Sequence, residues 1–198
     1  MSRKKSRLVF GVGVNDASYV IGGRNIETGK QWVCPFYRKW QSMLGRCYNE
    51  KYQEKKPTYI GCYVCNDWLT FSVFKDWMER QEWEGRELDK DLLFEGNKEY
   101  SPDKCVFVDS TLNLFVNDHG RSRGEHMIGV YFDKHAKKLR SQCSNPLTKR
   151  LEHLGCFTSE MGAHLAWKKR KLELVDELMN AGYIEDIRIY DNLRNKYS

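Results

Sequence analysis

The sequence predicts an α+β protein with two compact modules. The first is an N-terminal helical module leading into a ββα unit, and the second is a three-stranded antiparallel sheet packed on one long helix. Length supports this count, because 198 residues with 40% hydrophobic content can bury one or two small cores. Apolar residues recur at helical spacing in the first half, and short alternating runs follow residue 124.

Composition limits the classes of function. Basic residues exceed acidic ones by 33 to 27, and this +6 surplus favours a polyanionic partner. No apolar stretch approaches the roughly 20 residues of a membrane span, and the N-terminus lacks the apolar core of a secretory signal, so we expect a cytoplasmic protein without a membrane partner. Seven cysteines, an odd number, indicate reduced thiols or metal ligands rather than a disulfide framework.

The first half begins with a glycine-rich segment, 1–28, that we interpret as an extended arm with room for one short strand pair. Helical spacing then predicts an amphipathic helix over 35–48, with Arg38, Lys39 and Arg46 on its exposed side. A second helix follows, and its aromatic face is interpreted as core: Trp68, Phe71, Phe74 and Trp77. A strand over 86–93, a turn at 100–103, a strand over 105–108 and a helix over 109–117 form the predicted ββα unit.

The second half begins after a basic, glycine-bounded linker, 119–124. Three alternating runs separated by polar turns predict an antiparallel meander with strands near 127–132, 138–144 and 150–157. Thr158 is the predicted cap of a helix that runs to about Asn180 and stops at Gly182. The segment 183–198 is either a docking helix or disordered.

The middle strand of the meander carries a pattern that bears on function. Leu139 and Cys143 alternate with Arg140, Gln142 and Ser144, so an apolar face toward the helix leaves the polar set projecting outward. A ribbon of this width fits the DNA major groove, where Arg and Gln read guanine and adenine. The alternative is a solvated sheet face with no ligand.

This half of the sequence resembles the ethylene-response-factor (Apetala-type) DNA-binding domain. The resemblance covers about sixty residues and rests on Ile128-Gly-Val-Tyr, Lys138-Leu-Arg-Ser-Gln-Cys and Leu154-Gly-Cys-Phe-Thr-Ser-Glu. It implies that the sheet lies in the major groove of double-stranded DNA, while Leu139 replaces the family's tryptophan, so the family's base preference is not carried over. The implied DNA contacts are Tyr131, Lys134, Lys137, Lys138, Arg140, Gln142, Ser144, Lys149 and Arg150, with Arg121 and Arg123 of the linker.

The central segment resembles the HNH (ββα-metal) endonucleases of phages and their homing elements. The resemblance rests on Glu87-Leu-Asp-Lys-Asp, on Gly96-Asn-Lys-Glu-Tyr-Ser-Pro and on the preceding Trp40-Gln-Ser-Met-Leu-Gly-Arg-Cys-Tyr. It implies metal-dependent cleavage of DNA, and, for a phage-encoded protein, the cytoplasm of the infected bacterium. Asp89 and Asn113 fall where that family places its metal ligands, but Lys90 occupies the position of the usual histidine base.

Alternation along the first strand offers a partial substitute for that histidine. Asp89 and Asp91 are expected on one side of the strand, where they and Asn113 could hold Mg²⁺ or Mn²⁺ through oxygen ligands. Asp91 or bulk hydroxide would then act as the base. The alternative is a retired nuclease scaffold that binds DNA or only packs.

The cysteines suggest a possible structural zinc. Cys62 and Cys65 have the C-x-x-C spacing of a zinc knuckle, and Cys34 and Cys47 could complete a Cys₄ site if Cys34 folds back from the helix. Otherwise these four are buried free thiols. Cys105, Cys143 and Cys156 are interpreted as core.

Together these patterns predict a DNA-binding protein of the HNH homing-endonuclease type. The expected segments are an HNH-like module over 29–118, a DNA-binding domain over 125–182 and a tail over 183–198. Two alternatives remain: a catalytically inactive DNA-binding regulator, and an inhibitor of a host protein, whose binding would be indifferent to salt.

Overall fold

The computed structural model describes residues 8–117 and 125–198. The chain divides into two compact units, Met1–Phe107 and Val108–Ser198. The predicted linker, 119–124, lies outside the described residues, and so do Arg121 and Arg123. The mixed α+β class is confirmed.

Over residues 8–107, the part of the first unit that the structure describes, there are three helices and three pairs of short strands. The helices are α1 (Pro35–Tyr48), α2 (Glu50–Lys55) and α3 (Phe71–Met78), with 3₁₀ turns at Pro57–Tyr59 and Asp67–Leu69. Strand β1 (Gly22–Arg24) pairs antiparallel with β2 (Gln31–Val33), and β3 (Tyr63–Val64) pairs parallel with β5 (Glu99–Tyr100). Strand β4 (Glu87–Asp89) pairs with β6 (Val106–Val108), which ends this unit.

Aromatic side chains from α1, α3 and the turn between them form the core of the first unit. Trp40 and Trp68 are fully buried, and the indole N–H of Trp40 donates a 2.7 Å hydrogen bond to the carbonyl of Trp68. Phe74 meets Trp68 edge-on at 5.1 Å. The predicted aromatic core is confirmed, with Trp68 on the 3₁₀ turn rather than on the helix.

Residues 9–21 of the predicted arm pack on this core, so the interpretation of an extended arm is wrong there, while residues 22–24 form the strand β1. Val9 and Val12 are partly buried against the core, and Val14 bridges to Thr70. A Cβ atom at Gly13 would lie 2.4 Å from the side chain of Leu44. Gly13 therefore permits close contact with α1.

The second unit is built on the predicted meander. Strands β7 (Val130–Asp133), β8 (Lys138–Asn145) and β9 (Arg150–Phe157) form one antiparallel sheet in the order β7-β8-β9. Helix α5 (Glu160–Asn180) packs on the sheet, and helix α4 (Ser110–Val116) precedes it in the chain. The cap of α5 is Ser159, whose hydroxyl accepts a 3.1 Å hydrogen bond from the N–H of Gly162, and not Thr158.

A buried lysine joins α4 to the second unit. The amine of Lys171 on α5 donates a 2.5 Å hydrogen bond to the carbonyl of Phe115 and lies 3.7 Å from the centre of that ring. The sequence predicts α4 as part of the first module, whereas the structure places it in the second unit. Sequence periodicity could not reveal this lysine contact, which spans 56 positions.

The segment 183–198 is part of the second unit and not a disordered tail. Residues Ile187–Tyr197 form helix α6, which packs on α5. Its buried side chains are Ile189, Leu193 and Tyr197. Among the described residues, no helix combines the length and the apolar character needed to cross a bilayer.

Candidate nucleic-acid interface

The two faces of the β7–β9 sheet differ in what covers them. Ser141, Cys143 and Asn145 of β8 are buried on the face that α5 covers. Glu152, opposite Cys143 on β9, is held there by Arg170 of α5 at 2.6 Å, and this contact keeps the pKa of the Glu152 carboxyl below its usual value. The opposite face, which we call the outer sheet face, carries the alternate residues of each strand.

Arg140, Gln142 and Ser144 lie together on the outer sheet face. All three are at least partly exposed and alternate with the buried positions of β8. Their partners in register are Tyr131 of β7 and Cys156, His153 and Leu151 of β9. The predicted orientation of the β8 side chains is the one observed.

The guanidinium of Arg140 is held in a fixed orientation. Its Nη2 lies 2.9 Å from Oδ2 of Asp133, and the hydroxyl of Tyr131 lies within hydrogen-bonding reach. The other carboxylate oxygen of Asp133 accepts the backbone N–H groups of His135 and Ala136 at 2.9 and 3.0 Å. The N–H of Ala136 is the largest cause that holds the pKa of Asp133 below its usual value, so the carboxylate is ionised and fixes both the turn and Arg140.

Beside Arg140 the outer sheet face offers unoccupied hydrogen-bonding groups. Within the described residues, the side chains of Gln142, Ser144 and His153 have no hydrogen-bond or ion-pair partner. A Gln amide offers two donors and one acceptor oxygen, and a Ser hydroxyl offers both functions. The face therefore combines one oriented cation with several free donors and acceptors.

Exposed cations occur at both ends of the same sheet. Those at the β7–β8 turn are Lys134, Lys137 and Lys138, and those at the β8–β9 turn are Lys149 and Arg150. None of the five forms an ion pair within the described part of the chain. Residues 130–157 contain six basic and two acidic side chains, whereas residues 158–198 contain seven of each. The positive charge of the second unit is therefore concentrated on its sheet.

One of the three cysteines interpreted as core residues is exposed on this sheet. Cys105 and Cys143 are buried as expected, whereas Cys156 is exposed and lies opposite Arg140 on the outer sheet face. The register shifts between Ser141 and Gln142, so that alternation along β9 changes phase near Gly155, whose φ is +127°. Simple alternation from Leu154 onward could not anticipate this bulge.

The HNH-like segment forms a loop fastened by its own side chains. Oδ1 of Asp89 accepts the backbone N–H groups of Asp91 and Leu92 at 2.7 and 2.8 Å. The amine of Lys90, which is 5% exposed, lies 2.5 Å from Asp91 and donates to the carbonyl of Asn97 at 2.7 Å. Asn97 returns a 2.9 Å hydrogen bond to the carbonyl of Lys90.

This geometry corrects the expected arrangement of the carboxylates. Strand β4 ends at Asp89, so strand alternation does not place Asp91 beside it. Burial raises the pKa of Asp89, while Asp91 is exposed and paired with Lys90. Asn113 lies on α4 and belongs to the second unit, whereas both aspartates belong to the first.

The four cysteines proposed for zinc do not lie around one point. Cys34 immediately precedes the 14-residue helix α1, and Cys47 lies in its last turn, so about 20 Å of helix separates them. Four thiolates on one zinc each lie about 2.3 Å from the ion. Cys47 and Cys62 are neighbouring buried thiols, and burial is the main cause that raises the pKa of Cys47 to about 12. The described residues contain no group of three or more His, Cys, Asp or Glu side chains placed to hold a metal ion.

Comparisons with protein-family models, with curated proteins and with solved structures found no match in any of the three.

Sequence reasoning missed two features of the candidate interface. Asp133, which orients Arg140, had an available signal, because a strand that ends in Asp before a lysine-rich turn predicts an Asx turn. His153 was overlooked because the register shift at Ser141 and Gln142 decides its face.

Proposed function

We propose that this protein binds double-stranded DNA through the outer sheet face of its second unit. The observation that carries the proposal is the arrangement of Arg140, Gln142 and Ser144 on one exposed face, with Arg140 oriented by Asp133. Arg is suited to the O6 and N7 atoms of guanine, and Gln to the N6 and N7 atoms of adenine. A guanidinium that is already oriented loses less conformational entropy on binding than a free one.

The dimensions of the sheet support a major-groove position. Three strands about 4.8 Å apart give a ribbon about 10 Å wide between the outer backbones. The major groove of B-DNA is about 12 Å wide and admits a β-ribbon. Cations at both turns would then lie toward the phosphates that border the groove.

The same geometry favours binding without cleavage over the metal-dependent nuclease activity that the HNH resemblance implies. The amine of Lys90 holds Asp91, and Oδ1 of Asp89 holds two backbone N–H groups, so the motif has a structural use in the loop. A cation already 2.5 Å from Asp91 opposes a metal ion or a proton at that carboxylate. Cleavage with Mg²⁺ or Mn²⁺ is therefore the second candidate, and a DNA-binding regulator is the first.

The test begins by selecting bound duplexes from a random-sequence pool with the full chain, because the target sequence is unknown. Affinity for the selected duplex is then measured by fluorescence anisotropy for Arg140→Lys, Gln142→Ala and the control Lys169→Ala, which removes an exposed charge from α5. Each interface variant should bind about 5- to 150-fold more weakly, corresponding to about 1–3 kcal/mol per base contact. The control should bind as the unmodified protein does.

Two results would decide against parts of this proposal. Unchanged affinity in both interface variants, with unchanged thermal unfolding, would exclude the outer sheet face as the reading surface. Nicking of supercoiled plasmid that needs Mg²⁺ or Mn²⁺, is abolished by EDTA, and disappears in the Asp89→Ala, Asn113→Ala double variant would establish the nuclease in place of the regulator.

A further inference from the structure

The first unit has a basic surface pocket that the outer sheet face does not include. It has a volume of about 200 Å³ and lies between α1 and β4. Helix α1 contributes Arg38, Lys39, Ser42 and Arg46, and β4 contributes Glu87 and Leu88. Three cations face one acid, so the lining is net positive.

Two side chains of this lining have no protein partner. Within the described residues, neither the guanidinium of Arg38 nor the hydroxyl of Ser42 makes a hydrogen bond or an ion pair. Both are exposed at the mouth of the pocket. They therefore retain their donors for a ligand.

The other two cations are fixed in place. The amine of Lys39 donates to the carbonyl of Arg86 at 2.6 Å and lies 3.3 Å from Glu87, so that acid is already engaged. Nη1 of Arg46 donates to the carbonyl of Leu88 at 3.3 Å, and its guanidinium lies 5.7 Å from the centre of the Tyr59 ring. Positioned cations bind an anion with a smaller loss of side-chain entropy than freely moving ones.

Helix geometry places two arginines and Ser42 of this lining in one row. Arg38, Ser42 and Arg46 are spaced by four residues and therefore share one face of α1. Successive members are separated by about 6 Å along the axis, with the short Ser42 side chain between the two long arginines. All three side chains line the pocket, so a small anion bound at Ser42 would have one arginine on either side along the helix.

We propose that this pocket binds a phosphate group, with Arg38 and Arg46 on either side and the hydroxyl of Ser42 donating between them. Arginine forks match the oxygens of phosphate, and a partly enclosed site weakens screening by solvent. The source is either a backbone phosphate of a DNA duplex or a free phosphate compound. Binding of free phosphate here does not depend on the outer sheet face.

The first arm of the test uses the full chain and inorganic phosphate. The Nε–Hε signals of Arg38 and Arg46 are followed by NMR during titration, for the unmodified chain, for Arg38→Ala and for the control Lys51→Ala. Lys51 is exposed on α2 and, within the described residues, has no partner, so its replacement removes the same charge outside the pocket. We expect saturable shifts in the unmodified chain. The dissociation constant for phosphate, followed on Arg46, should rise at least tenfold in Arg38→Ala and stay unchanged in Lys51→Ala.

The second arm measures binding of a random-sequence duplex at several salt concentrations. Loss of one phosphate contact should reduce the salt slope by about 0.9 in Arg38→Ala and not in Lys51→Ala. A phosphate response with this change identifies a backbone phosphate, and a phosphate response without it identifies a free phosphate compound. Absence of a phosphate response in the unmodified chain, or equal responses in both variants, overturns the proposal.

The two proposals can fail separately. A pocket that binds inorganic phosphate in a chain whose Arg140→Lys variant binds DNA normally would retain the pocket and reject the outer sheet face. Normal DNA recognition by the sheet with no phosphate response at α1 would do the reverse. A pocket that responds to a glutamate-rich peptide but not to phosphate also overturns the inference, because a peptide carboxylate would then be the ligand.

Discussion

The five exposed cations of the β7–β8 and β8–β9 turns predict how strongly salt weakens DNA binding. The five are Lys134, Lys137, Lys138, Lys149 and Arg150, and none forms an ion pair within the described residues. If each neutralises one phosphate, the logarithm of affinity falls against that of salt with a slope of about −4.5. Raising salt from about 50 to 200 mM then weakens binding roughly 500-fold.

The perturbation is the double variant Lys138→Ala, Arg150→Ala, which removes one cation from each end of the sheet. With three contacts left, the slope should be about −2.7 and the same rise in salt should weaken binding only about 40-fold. Fluorescence anisotropy at four salt concentrations measures both slopes, with Lys169→Ala of α5 as the control. A double variant that retains the full slope would refute the reasoning, and a slope near zero in the unmodified protein would exclude phosphate contacts by these five cations.

Three further predictions concern single side chains. Gly129→Ala should lower the free energy of unfolding by about 2–5 kcal/mol, because its φ is +78° and the new Cβ would lie 2.2 Å from Trp167. Gly182→Ala, with the same φ and open space, should cost only about 1–2 kcal/mol. Because burial raises the pKa of Asp89, the folded chain keeps that proton to a higher pH than the unfolded chain, and stability falls as pH rises through the folded pKa. The amide of Asp89→Asn does not titrate, so the free energy of unfolding of this variant relative to the unmodified protein should be higher at pH 7 than at pH 4. Finally, alkylation of the exposed thiol of Cys156 should slow when duplex covers the outer sheet face.

Each of these three has a direct measurement. Thermal and urea unfolding compare the glycine variants, and equal losses at the two positions would contradict the contact with Trp167. Urea unfolding at pH 4 and pH 7 tests the Asp89→Asn variant. A difference in the free energy of unfolding that is the same at both pH values would contradict a raised pKa of Asp89. Peptide mapping after alkylation reports Cys156, and a rate unaffected by saturating duplex would contradict the proposed interface.

The sequence predicted those parts of the fold that depend on local periodicity. Strand β8 shows this, because its alternation placed Arg140, Gln142 and Ser144 on one face before the structure was known. The core of the first unit followed similarly, since large aromatic residues at helical spacing bury one face of α1 and α3.

Contacts between residues distant in the sequence could not be predicted in this way. The hydrogen bond from Lys171 to the carbonyl of Phe115 holds α4 in the second unit. The order of elements in the sequence instead predicts α4 as the helix of the ββα unit. In the segment that resembles HNH endonucleases, two hydrogen bonds join Lys90 and Asn97, which are seven residues apart. Hydrophobic periodicity in the sequence does not predict such a loop. The resemblance singled out Asp89 and Lys90, and both side chains make hydrogen bonds that fasten this loop.

The enclosure of Lys171 makes this residue a chemical reporter for the second unit. Its amine lies 3.7, 5.0 and 5.6 Å from the ring centres of Phe115, Tyr197 and Trp167, and the residue is only 5% exposed. An acylating reagent would modify the surface lysines rapidly. Lys171 would react only when α4 and α6 separate from α5. The rate of its acylation would then report how often the native unit opens, without denaturant.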